Sequence, residues 1–492
     1  MVKGGPSGIR VAAACALLLA SGMSRPARAQ VTLLAGETAM MGGAGSGGSG
    51  DPAMALLNPA GLARAGAVRA SISATAYALV AGSVPRFFNE STSTNTAFGD
   101  TTLDNIGVSG NELRAFPSLV ALLIGLGPEV GKPGHMTLGL SLLLPRTTVR
   151  YFEGASIATR NYAGRQTIAY SLRSDELYGG VSFAMQLGRR VLIGASLFAV
   201  FQPFSSVLST HYTLSDSSGT LYASQDLKAT NSGFSFELAA AVGAQLLVTD
   251  ALSFGLSVTA PSLHLGGNVE GGGETKQYSN DATLNEVTID RFDGTATINL
   301  PLRVAGGFSY RRRGSFGVVA DAALIVPVRS TRTVSNVTST TLSLQPGASP
   351  NTVETDASLT TEGQLSFAAS VGGEYYLTPS WVVRAGGFFD RPLRAAFRDN
   401  PAPSEIFGVR MSHVGATLGL AQLGRALSTT VGVVLRHGFG ETVAPIWGAP
   451  GARQTDYRQY ELMVFMSGGF DLSEIKEAIK KHLSARGGRH AS

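Results

Sequence analysis

The chain has 492 residues, of which 61 are glycine and only 15% are charged, and its formal net charge is +5. Ordinary soluble domains carry roughly 25% charged residues and about 7% glycine, so charge this sparse indicates that much of the surface meets something other than water. A net charge this small for the length gives no electrostatic footprint for nucleic acid, and no nucleic-acid partner is expected.

Residues 1–29 are predicted to be a secretory signal peptide. Two basic residues precede an apolar run at residues 11–23, and a small-x-small cleavage site ends at Ala29. The only cysteine, Cys15, lies inside the apolar run, so a mature chain that starts near Gln30 contains none. Disulfides, thiol nucleophiles and thiolate metal sites are thereby excluded, and neither a cofactor nor a metal is expected.

The segment from residue 36 to residue 63 has few bulky or charged side chains and includes a glycine-rich run at residues 42–50. Such a segment is poorly equipped to build a core of its own, so it must pack against walls from elsewhere. Asn58-Pro59 restricts residue 58 to extended geometry and favours a turn, so the backbone is expected to tighten there. We predict that residues 30–65 form an N-terminal hatch, or plug, inside the lumen of a barrel.

Beyond the plug, segments of ten or more residues alternate apolar side chains with small or polar ones, as membrane-barrel strands do. No apolar run after the leader approaches the roughly 18 to 20 residues that a membrane helix requires, and a closed barrel is the other structure that satisfies every backbone group in lipid. The sequence therefore predicts an all-β fold, a transmembrane antiparallel β-barrel of about 14 strands between residues 66 and 470. The predicted strands are 69–80, 113–126, 135–150, 167–187, 190–201, 232–248, 251–261, 302–312, 315–328, 363–377, 381–390, 409–422, 426–436 and 457–470.

The predicted connections alternate in length along the chain. Short turns are predicted at residues 127–134, 188–189, 249–250, 313–314, 378–380 and 423–425, and long links at 81–112, 151–166, 202–231, 262–301, 329–362, 391–408 and 437–456. The long links are rich in Ser, Thr, Asn, Asp and Gly, the composition of solvated loops. Short periplasmic turns and long extracellular loops are typical of bacterial outer-membrane barrels. An even number of strands also places both chain ends on the turn side, where the plug could enter.

Residues 471–492 are predicted to be a periplasmic C-terminal tail, because the last strand ends in the alternating sequence LMVFMSGGF at Phe470. Four apolar residues of the tail fall at helical spacing, which is compatible with a short helix. The interpretation that we favour is a solvated or frayed tail.

Several motifs of the chain resemble those of a known family. Met41-Gly42-Gly43-Ala44-Gly45, then Asp51, then Asn58-Pro59-Ala60-Gly61-Leu62-Ala63, followed by outer-membrane strands, resembles the FadL-type outer-membrane transporters of long-chain fatty acids and other hydrophobic compounds. Phe116-Pro117-Ser118 and Leu144-Pro145 look like the second and third strands of that family. The resemblance implies a barrel with an internal hatch that holds Asn58, Pro59, Ala60 and Gly61. The PorV-type components of type IX secretion look similar in this region.

The same resemblance implies that ligand is captured first in an apolar groove between two extracellular loops and then passes to a lumenal pocket beside the hatch. By position, the matching loops are residues 202–231 and 262–301. The candidate groove residues are Phe204, Tyr212, Leu263 and Leu265.

Five charged residues in the predicted strands are expected to face the lumen, because Arg or Lys facing lipid at the midplane costs roughly 2–4 kcal/mol. They are Glu237, Arg303, Asp321, Glu374 and Arg384. One interpretation is a network of ion pairs that stiffens the wall and anchors the plug. The other is that Arg303 or Arg384 binds the carboxylate of an amphiphile.

Together these observations predict a passive channel in the outer membrane of a Gram-negative bacterium. It would take up hydrophobic small molecules such as long-chain fatty acids, with the hatch as its gate and no covalent chemistry. The expected partners are outer-membrane lipid, a fatty acid-like ligand and the barrel assembly machinery, and the protein is expected to be a monomer.

Two other classes of function remain open. One is a PorV-type secretion-associated or structural barrel that binds a protein cargo through its long loops. The other is an enzyme within the barrel. The sequence has no GxSxG elbow and no HExxH motif, so catalytic residues are not assigned, but a Ser–His site could be assembled from separate strands.

Overall fold

The computed structural model describes residues 31–34, 36–65, 68–85, 87, 108–159, 162–216, 220–280, 285–312, 314–328, 330–361, 363–399, 401, 405–445 and 452–474. The predicted signal peptide and almost all of the predicted C-terminal tail lie outside these residues. The described chain begins with helix α1 (Gly36–Met40), helix α2 (Met54–Leu57) and a 3₁₀-helix (Pro59–Arg64). None of the helices in this part of the chain is long and apolar enough to cross a membrane.

Eighteen strands follow in the described ranges, and they form one antiparallel sheet that closes on itself, because β1 pairs with both β2 and β18. The strands are β1 (Val68–Val84), β2 (Val108–Leu126), β3 (Met136–Thr159), β4 (Tyr162–Gln186), β5 (Val191–Asp216), β6 (Leu221–Leu247), β7 (Leu252–Thr259), β8 (Leu263–Ser279), β9 (Glu286–Thr297), β10 (Leu302–Arg312), β11 (Phe316–Val326), β12 (Ser330–Ser343), β13 (Asn351–Thr361), β14 (Ser366–Thr378), β15 (Trp381–Asp390), β16 (Val409–Leu423), β17 (Leu427–Pro445) and β18 (Ala452–Asp471).

Fourteen spanning strands make up the ring, because four pairs of these strands are single strands with a short break. Strand β6 pairs with both β7 and β8, which places β7 and β8 end to end. Strand β9 pairs with β12 and β10 pairs with β11, which likewise places β9 end to end with β10 and β11 end to end with β12. Three of the breaks contain a proline, Pro261, Pro301 or Pro327. Proline has no N–H for the ladder, so it interrupts strands. The predicted barrel of about 14 strands is confirmed.

The connections predicted as short turns all lie at one end of the barrel, but not all connections have the predicted lengths. Short turns such as residues 187–190 and 424–426 lie at one end of the ring, where β1 begins and β18 ends. Most of the links predicted as long loops are instead strands, since β3 and β4 pair up to Thr159 and Ala163. Serine and threonine in these links indicate contact with water rather than loss of strand structure, because β-branched threonine also favours strands.

The outer face of the ring is apolar. Leu138, Leu140 and Leu142 of β3 are 44%, 54% and 49% exposed, while Thr137 and Leu143 point inward and are fully buried. The alternation follows from the period of two in a strand. An outward apolar face on a closed barrel is the surface that lipid covers in transmembrane barrels.

Two large apolar clusters of described residues lie inside the ring. One is near the turn end and includes Met54, Leu62, Leu123 and Phe198, so it joins the N-terminal segment to the wall. The other is near the opposite end and is built from aromatic and branched side chains, including Tyr170, Phe292 and Phe407. The interior is therefore divided into two ends with different chemistry.

Candidate functional site

The N-terminal segment, residues 36–65, lies inside the ring, and we call it the plug. Its backbone bonds side chains of strands on opposite sides of the barrel. Ser257 of β7 donates to the carbonyl oxygen of Leu57 (2.7 Å), and Thr417 of β16 donates to that of Met40 (2.8 Å). Contacts with strands this far apart around the ring require an interior position. Residues 36–65 are therefore held against the inner wall of the ring, which is where the predicted hatch would lie.

Asp51 organises the first half of the plug. One carboxylate oxygen accepts hydrogen bonds from the backbone N–H groups of Glu37 (3.1 Å) and Thr38 (3.4 Å), at the N-terminus of α1. The other oxygen accepts from the N–H of Ala53 (2.9 Å). The free N–H groups at a helix start favour a carboxylate. A single aspartate thus joins both ends of the glycine-rich run.

Asn58 fastens the second half of the plug to the wall. Its backbone is extended (φ −160°, ψ 95°), as a residue before proline should be, and the 3₁₀-helix starts at Pro59. The side-chain amide donates to the carbonyl oxygens of Ser46 (2.8 Å) and of Ala244 on β6 (3.2 Å), and its oxygen accepts from Ala60 N–H (3.3 Å). The predicted tightening at Asn58 is confirmed, and these bonds link three segments at one residue.

Glycines of the wall let the plug backbone approach closely. A Cβ added at Gly386 of β15 would lie 2.3 Å from the backbone nitrogen of Gly42, and one added at Gly372 of β14 would lie 2.4 Å from the Cβ of Met41. Real side chains do not fit at such distances, so only glycine allows the plug to sit there. The high glycine content of the strands is explained in part by this contact.

A cluster of charges ties the plug to the turn end of the barrel. Arg311 of β10 bonds Glu37 of the plug (Nη2 to Oε1, 2.6 Å), and Arg384 lies 4.0 Å from the other oxygen of Glu37. Arg384 also donates to Glu374 (3.3 Å), and both of these side chains are almost fully buried. Burial opposes ionisation of Glu37, but the two guanidinium groups outweigh it and lower the pKa of Glu37 to about 2.

The predicted lumenal charges all lie on the inner face of the wall. Asp321 accepts hydrogen bonds from the N–H groups of Gly45 and Ser46 of the plug (both 2.9 Å), and Arg303 faces the same side of the adjacent strand by alternation. Glu374 and Arg384 belong to the Glu37 cluster. These contacts are those of the ion-pair and plug-anchoring interpretation. Arg384 has carboxylate partners of its own chain in this structure.

Glu237 lies apart from the other charges and is fully buried at the break between β7 and β8. It accepts hydrogen bonds from Ser235 (2.6 Å) and Ser262 (3.2 Å), and its carboxylate lies 2.8 Å from His264 Nδ1. A serine, a histidine and an acid therefore do converge. In a catalytic relay the histidine lies between the serine and the acid and bonds each with a different ring nitrogen. Here Ser235 and His264 Nδ1 both contact the same oxygen of Glu237, so the three residues do not form a relay. The serines instead accept from Ile298 and Leu300 N–H and fasten the neighbouring strand break.

The four predicted groove residues are not brought together. Phe204 of β5 is buried inside the ring, whereas Leu263 and Leu265 of β8 are 62% and 51% exposed on the outside. Tyr212 is half-buried on the distal part of β5. The prediction treated these residues as loop residues, but they belong to strands, and the period of two sends them to opposite faces. The groove predicted from these residues is therefore not formed.

The distal end of the lumen holds a series of ring contacts that the sequence did not predict, and we call it the aromatic chain. Phe407 stacks on Tyr170 (centroids 4.3 Å apart, planes 7°) and on Phe87 (5.9 Å, 14°). Tyr170 stacks on Phe152 (6.1 Å, 10°), which meets the edge of Tyr457 (5.6 Å, 87°). All five rings are buried to at least 95%. Stacked and edge-to-face geometries of this kind are favourable for aromatic side chains.

Phe407 has an unusual backbone. It is the one non-glycine residue with positive φ (61°) among the described residues, and it is the third residue of a turn closed by a hydrogen bond from Gly408 N–H to the Glu405 carbonyl oxygen (2.8 Å). This position favours glycine, and a side chain there costs about 1–3 kcal/mol. Its N–H donates to the carbonyl oxygen of Val443 (2.8 Å). The chain thus keeps a phenyl ring at a place where its backbone disfavours one.

Glu37, Arg311 and the aromatic chain were missed by sequence reasoning. Glu37 could have been found, because it is the only charged residue between residues 30 and 50. The described part of the chain contains no group of three His, Cys, Asp or Glu side chains that could hold a metal ion.

The fold and the interior define a closed transmembrane barrel with an internal plug. No family model and no curated protein matches the chain. Solved structures do match: a FadL homologue of Pseudomonas aeruginosa (TM-score 0.53, 14% identity, 90% of this chain and 100% of the other covered), the monoaromatic hydrocarbon channel CymD (0.54, 14%, 90% and 99%) and the toluene transporter TodX of P. putida (0.52, 14%, 90% and 99%). The predicted resemblance to FadL-type transporters is confirmed at the level of the fold.

Proposed function

We propose that this protein is a passive channel in the outer membrane of a Gram-negative bacterium, and that it takes up hydrophobic small molecules with the plug as its gate. The proposal is supported by the barrel fold, by an interior that is aromatic at one end and plugged at the other, and by an interruption in the wall. The structural neighbours are described as a toluene transporter, a monoaromatic hydrocarbon channel and a FadL homologue. Long-chain fatty acids and small hydrocarbons are therefore the ligand classes proposed.

The observation that carries the proposal is a gap in the hydrogen-bond ladder between β2 and β3. Ser109 pairs with Glu153 and Leu119 pairs with Leu143, but in the described part of the chain no ladder pair joins residues 110–118 of β2 to residues 144–152 of β3. Pro117 and Pro145 lie within this gap between β2 and β3, and neither can donate to a ladder. The same register holds on both sides of the gap, so the two strands separate and rejoin. We call this stretch the wall slit.

The wall slit offers a route from the lumen to the apolar layer around the barrel. A hydrophobic molecule in the distal lumen would leave water at a gain of roughly 25 cal/mol per Å² of buried apolar surface. It would then pass between β2 and β3 into lipid rather than down through the plug. Uptake along this route needs no energy source other than the concentration gradient. Movement of the plug would set how far the ligand can enter the lower lumen.

The wall slit can be closed chemically, because the chain has no cysteine after Cys15. Extending the register places residue 115 opposite residue 147, so the pair Ala115→Cys and Thr147→Cys spans the slit. The matched control is Ala121→Cys with Ser141→Cys, a pair already joined in the ladder of the same two strands. Each pair would be cross-linked in proteoliposomes that contain this protein alone, and uptake of a hydrophobic dye would be measured before and after reduction.

The expected result is that cross-linking at the slit lowers dye uptake severalfold and that reduction restores it, while cross-linking the control pair changes nothing. Uptake that stays unchanged with the slit fully cross-linked would overturn this exit route. A lack of uptake by the unmodified protein would count against the channel itself. It would favour the alternative of a barrel that serves a protein cargo.

A further inference from the structure

The rings of the aromatic chain are held in two ways, because Phe87 and Phe407 lie outside the strands and the other three rings lie within them. Phe152, Tyr170 and Tyr457 lie within the wall strands β3, β4 and β18, whereas Phe407 comes from the segment just before β16. The wall rings are fixed by paired strands on both sides. The face of Tyr170 therefore exists whether or not Phe407 lies on it.

The backbone at Phe407 indicates that its ring is kept there for a reason other than the stability of the turn. A glycine would fit the turn without strain, and the next residue in the chain is in fact Gly408. Backbone strain of this kind occurs at ligand clamps and switch regions, and it supports a hypothesis of function when it is observed. The turn itself is anchored by the bond from Phe407 N–H to Val443 and by Thr442, which donates to the Gly408 carbonyl oxygen (2.8 Å).

We propose that Tyr170 and Phe87 form a binding site for a flat aromatic ring, and that Phe407 occupies this site until a ligand replaces it. The proposal rests on the function proposed above and specifies a ligand site within the same lumen. Phe407 shows the geometry that the ligand ring would adopt, with its plane 7° from that of Tyr170 at 4.3 Å.

The surroundings of the site suit an uncharged ring. The site lies in the distal apolar cluster, where Phe204, Leu208 and Phe292 are also buried. Three cations among the described residues lie around the aromatic chain. Arg394 bonds Glu405 (3.3 Å) and the face of Phe397 (4.3 Å to the centroid), and Arg453 donates to the carbonyl oxygen of Phe87 (3.1 Å). The buried Arg150 acts on Tyr457, which is at the other end of the aromatic chain from Phe407. A planar ring would gain stacking on Tyr170 that an alkyl chain of the same size cannot obtain.

The site is also connected to the wall slit. Phe152, which stacks on Tyr170, precedes Glu153, the residue that closes the distal end of the slit by pairing with Ser109. A ring released from the site would therefore pass along Phe152 to the wall slit. Phe152, which stacks on the site, and one edge of the wall slit therefore belong to the same strand, β3.

The test compares binding of toluene and of n-heptane, which has the same number of carbon atoms but no ring, to the purified protein by titration calorimetry. Phe407→Gly removes the competing ring and relieves the turn, so toluene should bind roughly threefold to tenfold more tightly than to the unmodified protein, as expected for one aromatic stacking contact. Affinity for n-heptane should change less. Phe407→Leu refills the site with an apolar group and should bind toluene about as the unmodified protein does.

Equal affinity of Phe407→Gly and the unmodified protein for toluene would overturn the proposal, provided that the variant keeps the heat-dependent gel mobility of a folded barrel. Crystals of the unmodified protein soaked in bromobenzene give a second measurement that needs no variant. Bromine density on the Tyr170 face with the Phe407 ring displaced would support the proposal, and bromine density only elsewhere with Phe407 in place would refute it. Dye uptake by the unmodified protein tests the channel function separately. Uptake without toluene binding at Tyr170 would refute the ring site and leave the channel function supported.

Discussion

The two ends of the lumen are filled in opposite ways. At the turn end, a glycine-rich segment is held by hydrogen bonds from single side chains to its backbone and by the charges around Glu37. At the distal end, rings stack on one another with few polar contacts. The first arrangement specifies where a backbone lies, and the second specifies what kind of surface a molecule will meet.

This difference fits the separate tasks that we propose for the two ends. Each polar contact of the plug can be replaced by water at a net cost of about 0.5–1.5 kcal/mol, so the plug can shift by exchanging contacts one at a time. Stacked rings cannot exchange with water in this way, because water does not replace buried apolar area. The turn end is therefore suited to gating and the distal end to selecting the ligand.

The largest expected effect comes from expelling the plug sterically. Gly386→Val places a side chain where the backbone of Gly42 now lies, so the plug must leave its position or the strand must distort. We expect a severalfold rise in single-channel conductance in planar bilayers. Gly387→Ala is the matched control, since a Cβ there meets nothing nearer than 3.7 Å. Closed channels in a folded Gly386→Val protein would show that the plug does not obstruct the lumen.

The parts of the fold that could be predicted are those that depend on local pattern. The number of spanning strands and the parity of the turns follow from alternation with a period of two, and the turn at Asn58 follows from the proline after it. The plug was predicted because a segment of small residues cannot bury itself. Each of these features is decided by residues that are close together in the sequence.

The aromatic chain could not be predicted in the same way. Its members come from five separate segments, and Phe152, Phe407 and Phe87 lie in stretches whose polar composition indicates loops. Composition reports whether a segment meets water, but it does not show which single residues of that segment point inward. The contact between Phe407 and Tyr170 depends on a turn that folds inward, which no local pattern specifies.

A smaller effect is expected from weakening the charge cluster at the plug. Glu37→Gln removes the partner of Arg311, which is 24% exposed, so we expect plug closure to lose about 1–3 kcal/mol, towards the lower value because of the solvent contact. Limited proteolysis of the plug would report the change. Glu129→Gln, which breaks an exposed pair with Lys132 in a turn, is the control and should have no effect.

Acid provides an independent check on the same cluster. A carboxylate with a lowered pKa stabilises the folded state fully above its unfolded value of 4.5, and this contribution is lost as the pH falls towards 2. The difference in proteolysis rate between the unmodified protein and Glu37→Gln should therefore stay constant from neutral pH to about 5 and shrink only in stronger acid. A rise in the proteolysis rate of both proteins centred near neutral pH would mean that a group other than Glu37 holds the plug.

The smallest expected effect tests whether the distal end depends on its rings rather than on polar contacts. Tyr457→Phe keeps the edge contact with Phe152 and removes only the hydrogen bond from its hydroxyl to Gln459 (3.0 Å). Stability to urea should fall by about 0.5–1.5 kcal/mol, while conductance and toluene binding remain as they were. Tyr457→Leu, which removes the ring, should weaken toluene binding as well. If Tyr457→Phe instead opened the channel as Gly386→Val is expected to do, the division of tasks between the two ends of the lumen would be wrong, because a polar contact at the distal end would then be controlling the plug.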